Sequence, residues 1–376
     1  MLKTLLITTD FPPRIGGVAE YLSQISSRLP SSSISVFAQP EKDSGKFDSE
    51  QHYRIYRENF YFTSHFIWPK WLLLLFSARK LIKKDGFQQI LVGQILPVGT
   101  VALLINLFFG IPYVVSTHAM DITILSNSRK KTRLAKEILK HSRQIVTVSH
   151  FTKKKLTELG VEEEKICIIS PGTDLLERNT EDFQDRIIEE FGLNGKRILL
   201  TVGRIVERKG HIEVLKSLPF IIKKIPNTHY IITSNGPYKK DLEIFIDKNH
   251  LRNYVTFVGE VSRDQLSSFY RLAEVFVMPT IMLANSDVEG FGIVYLEANA
   301  FGKPVVGYDT GGVGDAIVNR KTGILIEPRN PSEIAKNIIR LFEDTNYANK
   351  LGKQGRIRVE SEFTWEVRAE KFKDIL

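Results

Sequence analysis

Cysteine is almost absent: Cys167 is the single one among 376 residues, which excludes an internal disulfide framework and fits a reducing compartment. Long apolar runs are missing as well. The opening Met1-Leu2-Lys3-Thr4-Leu5-Leu6-Ile7 is too short for a signal peptide and Asp10 follows it closely, so it reads as a buried first strand. The stretch from Gly86 to Thr117 has no charge, but Gln88, Gln89, Gln94, Pro97, Gly99, Asn106, Gly110 and Pro112 interrupt it. No uninterrupted part approaches the roughly 20 residues of a membrane span. It divides instead into a strand (Gln89 to Val92), a helix (about Val98 to Phe108) and a strand (Tyr113 to Ser116), the form of a buried βαβ unit. RNA-recognition, zinc-finger and helix-turn-helix signatures are lacking. So are the Gly-x-Gly-x-x-Gly and Walker spacings, and any short-period repeat.

What is present is an alternation of short apolar strands with helical patterns along the whole chain. Strand candidates are Thr4 to Thr8, Ser35 to Ala38, Gln89 to Val92, Tyr113 to Ser116, Ile145 to Val148 and Ile166 to Ile169. After a polar stretch come Arg197 to Val202, His229 to Thr233, Val255 to Val258, Val275 to Met278, Pro304 to Tyr308 and Gly323 to Ile326. Two successive sets predict an α/β fold of two doubly wound, Rossmann-like domains. The length suits two cores, with the boundary expected between about Leu175 and Asn194 and the domains over 1–185 and 186–356.

Net charge is +9, which fits nucleic acid, an anionic membrane or a polyanionic small ligand. The basic clusters Arg79-Lys80-Leu81-Ile82-Lys83-Lys84, Arg129-Lys130-Lys131 with Arg133 and Lys136, and Lys153-Lys154-Lys155 all lie in the first half. Each taken alone fits a solvated helix face; together they suggest a membrane-facing side. Trp68-Pro69-Lys70-Trp71-Leu72-Leu73-Leu74-Leu75-Phe76, followed by the Arg79 to Lys84 run, has the make-up of an interfacial amphipathic helix.

The candidate site loops all follow strands, where open α/β sheets bind ligands. In Glu289-Gly290-Phe291-Gly292-Ile293-Val294-Tyr295-Leu296-Glu297 a helix opens after two glycines. Its unpaired N–H groups suit a diphosphate, and the two glutamates become acceptors for hydroxyls on separate parts of one ligand. Gly203-Arg204-Ile205-Val206-Glu207-Arg208-Lys209-Gly210 places Arg204 to fork onto phosphate oxygens and Lys209 to add a point charge. In Asp10-Phe11-Pro12-Pro13-Arg14-Ile15-Gly16-Gly17, the glycine pair either admits a close phosphate or sugar or serves a tight turn needing positive φ. His118, at the end of a strand, is either a hydroxyl-binding or basic group or a satisfied structural histidine. The loops Ser234-Asn235-Gly236-Pro237 and Thr310-Gly311-Gly312-Val313-Gly314-Asp315 show turns.

Together the Glu-x7-Glu element (Glu289, Glu297), the Gly-Arg-x-x-x-x-Lys-Gly element (Gly203 to Gly210) and the loops resemble, over nearly the whole chain, the retaining GT-B glycosyltransferases of family 4. Asp10 to Gly17 and Asp287 to Glu297 look especially like the phosphatidylinositol mannosyltransferase branch. The resemblance implies two domains facing across a cleft, the first binding the acceptor and the second the nucleotide-sugar donor. A C-terminal helix at about 357–376 would return to the first domain. It implies that Arg204 and Lys209 grip the diphosphate, Glu297 the ribose and Glu289 the transferred hexose. Gly16 or Gly17 would contact the donor phosphate, and His118 the sugar near its reacting carbon. Gly236, Gly290, Phe291, Gly292, Ile293 and Val294 complete the expected donor set.

No metal or cofactor is expected, since the two cations do that work. The implied activity is hexosyl transfer with retention, mannose from GDP-mannose being the case the closer likeness suggests, onto a lipid-linked or glycan acceptor. The expected place is cytoplasmic, with peripheral contact at the inner face of the plasma membrane and no nucleic-acid partner. Two departures bear on this: Ala119-Met120-Asp121 stands where that branch tends to have a Gly and a Glu, and Asp315 stands where the family usually has Glu. Alternatives are a GT-B sugar-nucleotide epimerase, a glycoside hydrolase using Glu289 and Glu297 as its pair, and, on charge alone, a nucleic-acid-binding protein.

Overall fold

In the computed structural model, which describes residues 1–63, 68–174 and 181–376, the apolar runs become the strands of two parallel sheets. The first has β1 (Thr4–Thr8), β2 (Ile34–Ala38), β3 (Arg54–Arg57), β4 (Gln89–Val92), β5 (Tyr113–Thr117), β6 (Gln144–Thr147) and β7 (Ile166–Ile168) in the order β3-β2-β1-β4-β5-β6-β7. The second has β8 (Arg197–Thr201), β9 (Thr228–Thr233), β10 (Val255–Gly259), β11 (Val275–Val277), β12 (Val305–Tyr308) and β13 (Gly323–Ile326) in the order β10-β9-β8-β11-β12-β13. Each order reverses once, between β1 and β4 and between β8 and β11. Those are the switch points where a doubly wound sheet opens a crevice at its carboxyl ends. Most strands are buried along their whole length, as strands covered by helices on both faces must be.

Two compact units hold these sheets: Met1–Gly172 with Trp365–Leu376, and Thr173–Thr364. The sequence reading set its limits at 1–185, 186–356 and about 357–376. The helix Glu181–Phe191 belongs with the second unit because it packs on the helix Arg263–Leu272, with the Phe191 and Phe269 rings 6.3 Å apart. Part of the expected boundary, residues 175–180, lies outside the described residues. The last helix, Trp365–Lys373, is in the first unit, where Trp365 and Phe372 pack against Tyr21 at 6.1 Å each.

The expected interfacial helix has one face in the core. The segment Leu72–Asp85 is the crossover helix between β3 and β4, and Leu74, Ala78, Leu81 and Ile82 point into the core. That spacing is the buried stripe of an amphipathic helix, and of the leucine run Leu74 is buried while Leu72, Leu73 and Leu75 are half-buried. Exposure is left to Trp68 (86%) and Phe76 (63%), and to Leu107 (57%), Phe108 (74%) and Phe109 (48%) at the end of the helix Val98–Phe109. The Arg79 guanidinium lies 4.0 Å from the Phe109 ring centre and joins the two helices. Among the described residues no helix is long and apolar enough to cross a membrane.

Within the second unit the helix Ile293–Ala300, which carries Glu297, is held from behind by the helix Thr345–Glu362. The backbones touch there through glycine. A β-carbon on Gly352 would lie 1.8 Å from the Gly302 carbonyl oxygen, and one on Gly355 would lie 2.5 Å from the Asn299 side chain. Asn299 is itself fixed, donating to the Lys303 and Thr322 carbonyls at 3.0 and 3.1 Å. Replacing Gly352 by Ala therefore must part the two helices. The expected loss is about 1–3 kcal/mol of stability, read as a lower urea midpoint, and an unchanged midpoint would show that the packing yields freely.

Candidate active site

In the second unit the loops after β8, β9, β11 and β12 are tied to one another through their main chains. After β8, Gly203 has φ 141 and the Lys209 side chain crosses it, with its Cε 3.5 Å from where a β-carbon would be. Gly210 (φ 72) fits against Pro279, whose carbonyl oxygen would meet a β-carbon at 1.8 Å, and the Arg208 carbonyl accepts from the Ile281 N–H at 2.9 Å. Gly236 leaves room for Ile205 in the same way, its would-be β-carbon 2.2 Å from the Ile205 oxygen. Gly311 (φ 54) fits under the Glu289 carbonyl, which also accepts from the Gly312 N–H at 2.9 Å. The loops of Gly236, expected in the donor set, and of Gly311 thus support the site through their packing.

This scaffold brings Lys209 and Glu289 together and adds a residue the sequence reading did not single out. Glu289 Oε2 accepts from Lys209 Nζ at 2.7 Å and from Arg208 Nη1 at 2.5 Å, while Arg208 Nε lies 2.9 Å from Asp287 Oδ1. The three side chains of the Glu289 contacts are 13–14% exposed. Burial works to raise the Glu289 carboxyl, but Lys209 and Arg208 more than offset it and hold it at about 2. Burial also lowers Lys209, against the pull of Glu289. Arg204 is exposed and makes no contact with Glu289.

Glu297 sits apart from that cluster. Its Oε2 accepts from the Tyr270 hydroxyl at 2.6 Å, and Tyr270 is stacked on Phe301 with ring centres 5.4 Å apart. The helix Ile293–Ala300 starts at Gly292, which has φ 93 and lies over Tyr295, and no side chain caps it. Tyr295 in turn donates to the Met278 carbonyl at the end of β11. Phe291, expected in the donor set, is 3% exposed and stacks on Phe363 at 6.0 Å, so its ring is a packing group.

In the first unit Gly16 and Gly17 begin the helix Gly17–Ser26, and neither has positive φ: Gly16 is extended at 171. A β-carbon on either meets nothing within 4 Å, so the tight-turn explanation fails. The preceding loop is fixed by Gln94, which accepts from the Thr9 N–H at 3.0 Å and donates to Asp10 at 3.2 Å, and by Arg57, which donates to the Pro12 carbonyl at 2.6 Å. His118 packs edge-on to Tyr21 of that helix at 5.3 Å, with Nε2 3.2 Å from Ser116 Oγ. Ala119 has φ 65 and ψ −65 and the Met120 N–H donates to the His118 carbonyl at 2.9 Å, a γ-turn of the rare, strained hand. Asp121 clamps it by accepting from the His118 N–H at 2.9 Å.

Residues 183–358 match the family described as Glycosyl transferases group 1, and residues 15–176 match Glycosyltransferase Family 4. The chain belongs to the family 4 glycosyltransferases. This glycosyltransferase is 28% identical over 393 residues to the GDP-mannose-dependent alpha-(1-6)-phosphatidylinositol monomannoside mannosyltransferase of Mycobacterium tuberculosis, covering 100% of this chain and 98% of that one. It is 26% identical to the GDP-mannose-dependent monoacylated alpha-(1-6)-phosphatidylinositol monomannoside mannosyltransferase of Corynebacterium glutamicum, covering 100% and 97%. A solved structure of Anabaena HepE with UDP and glucose superposes with a TM-score of 0.83 at 18% identity, covering 100% and 99%. Sucrose-phosphate synthase from Thermosynechococcus elongatus gives 0.82 at 23%, covering 99% and 97%. At those identities the likeness is one of fold, the GT-B fold of two Rossmann-like domains.

Of the residues found only in the structure, Arg208 was within reach, since it adjoins Lys209 in one basic run. Asp287 lies in the same quoted fragment as Glu289. Tyr270 carried no signal, being far from Glu297 in sequence. Among the described residues of this glycosyltransferase no group of three His, Cys, Asp or Glu could hold a metal ion.

Burial holds three histidines neutral, lowering His118 and His229 from 6.5 to about 4 and His211 to about 3. Unfolded, each binds a proton below its ordinary value; folded, His118 and His229 do so only near pH 4 and His211 only near pH 3. Asp121 opposes them, because burial raises it to about 6 and the folded state takes its proton first. Near pH 5 unfolding should take up roughly two protons net, so stability falls as the pH drops from 6.5 towards 4. Urea midpoints at pH 7 and pH 5 check the sign, and equal midpoints would contradict it.

Proposed function

We propose that this glycosyltransferase moves a hexose from a nucleotide-diphosphate sugar, mannose from GDP-mannose foremost, to a lipid-linked acceptor, with retention and without a divalent metal. The observation that carries the reading is the arrangement at Glu289: both cations meet one oxygen, Oε2. Oε1 has no partner among the described residues and is available to a sugar hydroxyl. Lys209 and the exposed Arg204 supply positive charge for a diphosphate whose charge grows as it leaves. Glu297 then takes the ribose, its carboxylate already oriented by Tyr270. The donor and acceptor named for the mycobacterial and corynebacterial relatives favour GDP-mannose and a phosphatidylinositol glycolipid.

Gly16 and Gly17, required by neither backbone angle nor packing, offer an open main chain at a helix start to a phosphate. His118, held neutral, serves as a hydrogen-bonding group to the sugar. For retention, the leaving diphosphate takes the acceptor proton on the face it departs from. A hydrolase acid needs a raised carboxyl, and Glu289 is held in the opposite direction.

Purified protein is expected to be stabilised against heat by GDP-mannose above UDP- and ADP-sugars, and to transfer mannose equally well with and without EDTA. Lys209→Ala or Glu289→Ala should lower kcat/KM by roughly 10²–10³. Near-normal transfer by either variant, or an EDTA-sensitive rate, would overturn the corresponding part of the reading, and an inverted product anomer by NMR would overturn retention.

A membrane contact of the first unit is also part of this reading. The exposed Phe76, Leu107 and Phe108 beside Arg79, Lys80 and Lys83 combine apolar insertion with attraction to anionic lipid. Flotation with phosphatidylglycerol vesicles at low salt should recover the protein in the vesicle fraction. A Leu107→Ser, Phe108→Ser double variant should float poorly, and equal flotation of both forms would remove this surface from consideration.

A further inference from the structure

Lys209 and Arg208 share one carboxylate oxygen, and a diphosphate arriving at Lys209 must compete with it. The two cations are not equally free to respond. Lys209 carries its charge on a flexible stem lying along Gly203 and has no second carboxylate. Arg208 is a planar group whose Nη1 donates to Glu289 and whose Nε makes an ion pair with Asp287 at 2.9 Å, without hydrogen-bond alignment. Both ends of that link are anchored: the Arg208 carbonyl is bonded to Ile281, with Gly210 fitted against Pro279 just after it. Asp287 closes a turn of its own, its N–H donating to Asn285 Oδ1 at 3.0 Å and its carbonyl accepting from the Leu283 N–H at 3.0 Å.

We propose that Arg208 is the positioning residue that keeps the Glu289 carboxylate in place when Lys209 turns to the diphosphate of the donor. The assignment rests on the hexosyl-transfer reading of this site. Lys209 is then exchanged from one anion to another, while the Asp287-Arg208 clasp stays fixed and still presents Glu289 to the hexose. The groups facing Glu289 are Arg208 and Lys209 by contact, Asp287 through Arg208, Tyr295 beneath it, and Arg204 at longer range beside Lys209. Remove Arg208, and a donor that draws Lys209 away leaves Glu289 buried with no adjoining cation. Its burial then favours the protonated form, which accepts a sugar hydroxyl poorly.

The test compares Arg208→Gln, Arg208→Lys and Lys209→Ala in GDP binding by calorimetry, in steady-state transfer from GDP-mannose, and in the dependence of kcat on pH. Arg208→Gln is expected to bind GDP within about threefold of wild type, to lose at least about thirtyfold in kcat, and to show the acid limb of kcat at least about one pH unit higher. Lys209→Ala is expected to lose about tenfold or more in GDP affinity. Arg208→Lys keeps the charge but not the fork, so kcat should fall less and recover as the pH rises. If Arg208→Gln fails to unfold cooperatively, Arg208→Lys supplies the same contrast.

Two results would overturn the assignment. One is GDP affinity falling as far in the Arg208 variants as in Lys209→Ala, which would make Arg208 a diphosphate ligand. The other is an unchanged kcat with an unmoved acid limb. Failure of wild type to transfer from any nucleotide sugar would count against hexosyl transfer instead, while the GDP contrast between the variants would still judge Arg208.

Discussion

The ion cluster around Glu289 Oε2 is the interaction on which the second unit's site depends. A carboxylate that is 14% exposed is expensive to keep charged unless cations adjoin it. Arg208 and Lys209 adjoin it, and four loops are fitted together at glycines to bring them there. Gly210 admits Pro279, Gly236 admits Ile205, Gly311 admits the Glu289 carbonyl, and Gly292 admits Tyr295. The glycines of this unit are best understood as clearances that let main chains close around one charged group. The Gly16-Gly17 pair differs, since none of the described residues occupies the space its β-carbons would take.

Most of the fold was legible because its signal is physical and local. Strands of a parallel sheet covered on both faces must be apolar throughout, and β1, β4 and β13 fall where the apolar runs stand. β3 escaped for the same reason in reverse. Arg54-Ile55-Tyr56-Arg57 is a polar edge strand, partly exposed, with no run to find. The Trp68 to Phe76 segment is ambiguous in sequence because a leucine-rich stripe followed by lysines describes a crossover helix as well as an interfacial one. The packing of Leu74 and Ala78 establishes the first of these.

At the site, the Glu-x7-Glu and Gly-Arg-x-x-x-x-Lys-Gly elements fall on loops that meet through Lys209 and Glu289, a contact that spacing alone does not give. Arg204 and Lys209 were expected to share a diphosphate; within the chain Lys209 meets Glu289, and the second cation there is Arg208. Tyr270, and the clamp of Asp121 on the strained turn at Ala119, depend on contacts between elements or on backbone angles that no residue pattern announces. Ala119 is the sharper case. An alanine at φ 65 is disfavoured by its own β-carbon, so the sequence argues against the conformation that the fold imposes.

The charges of the cluster sum to nothing: Arg208 and Lys209 against Asp287 and Glu289. For all the chain's basicity, the cluster itself is neutral, and the positive charge left beside it is that of the exposed Arg204. Inorganic phosphate could draw Lys209 only by parting it from Glu289, and it has no hydroxyl for the carboxylate it strands. Under the proposed transfer, a molecule bearing both a diphosphate and a sugar would satisfy the two sides of the broken pair at once. Discrimination of this kind needs no steric filter, because the resting pair itself is the competitor that an incomplete ligand fails to replace.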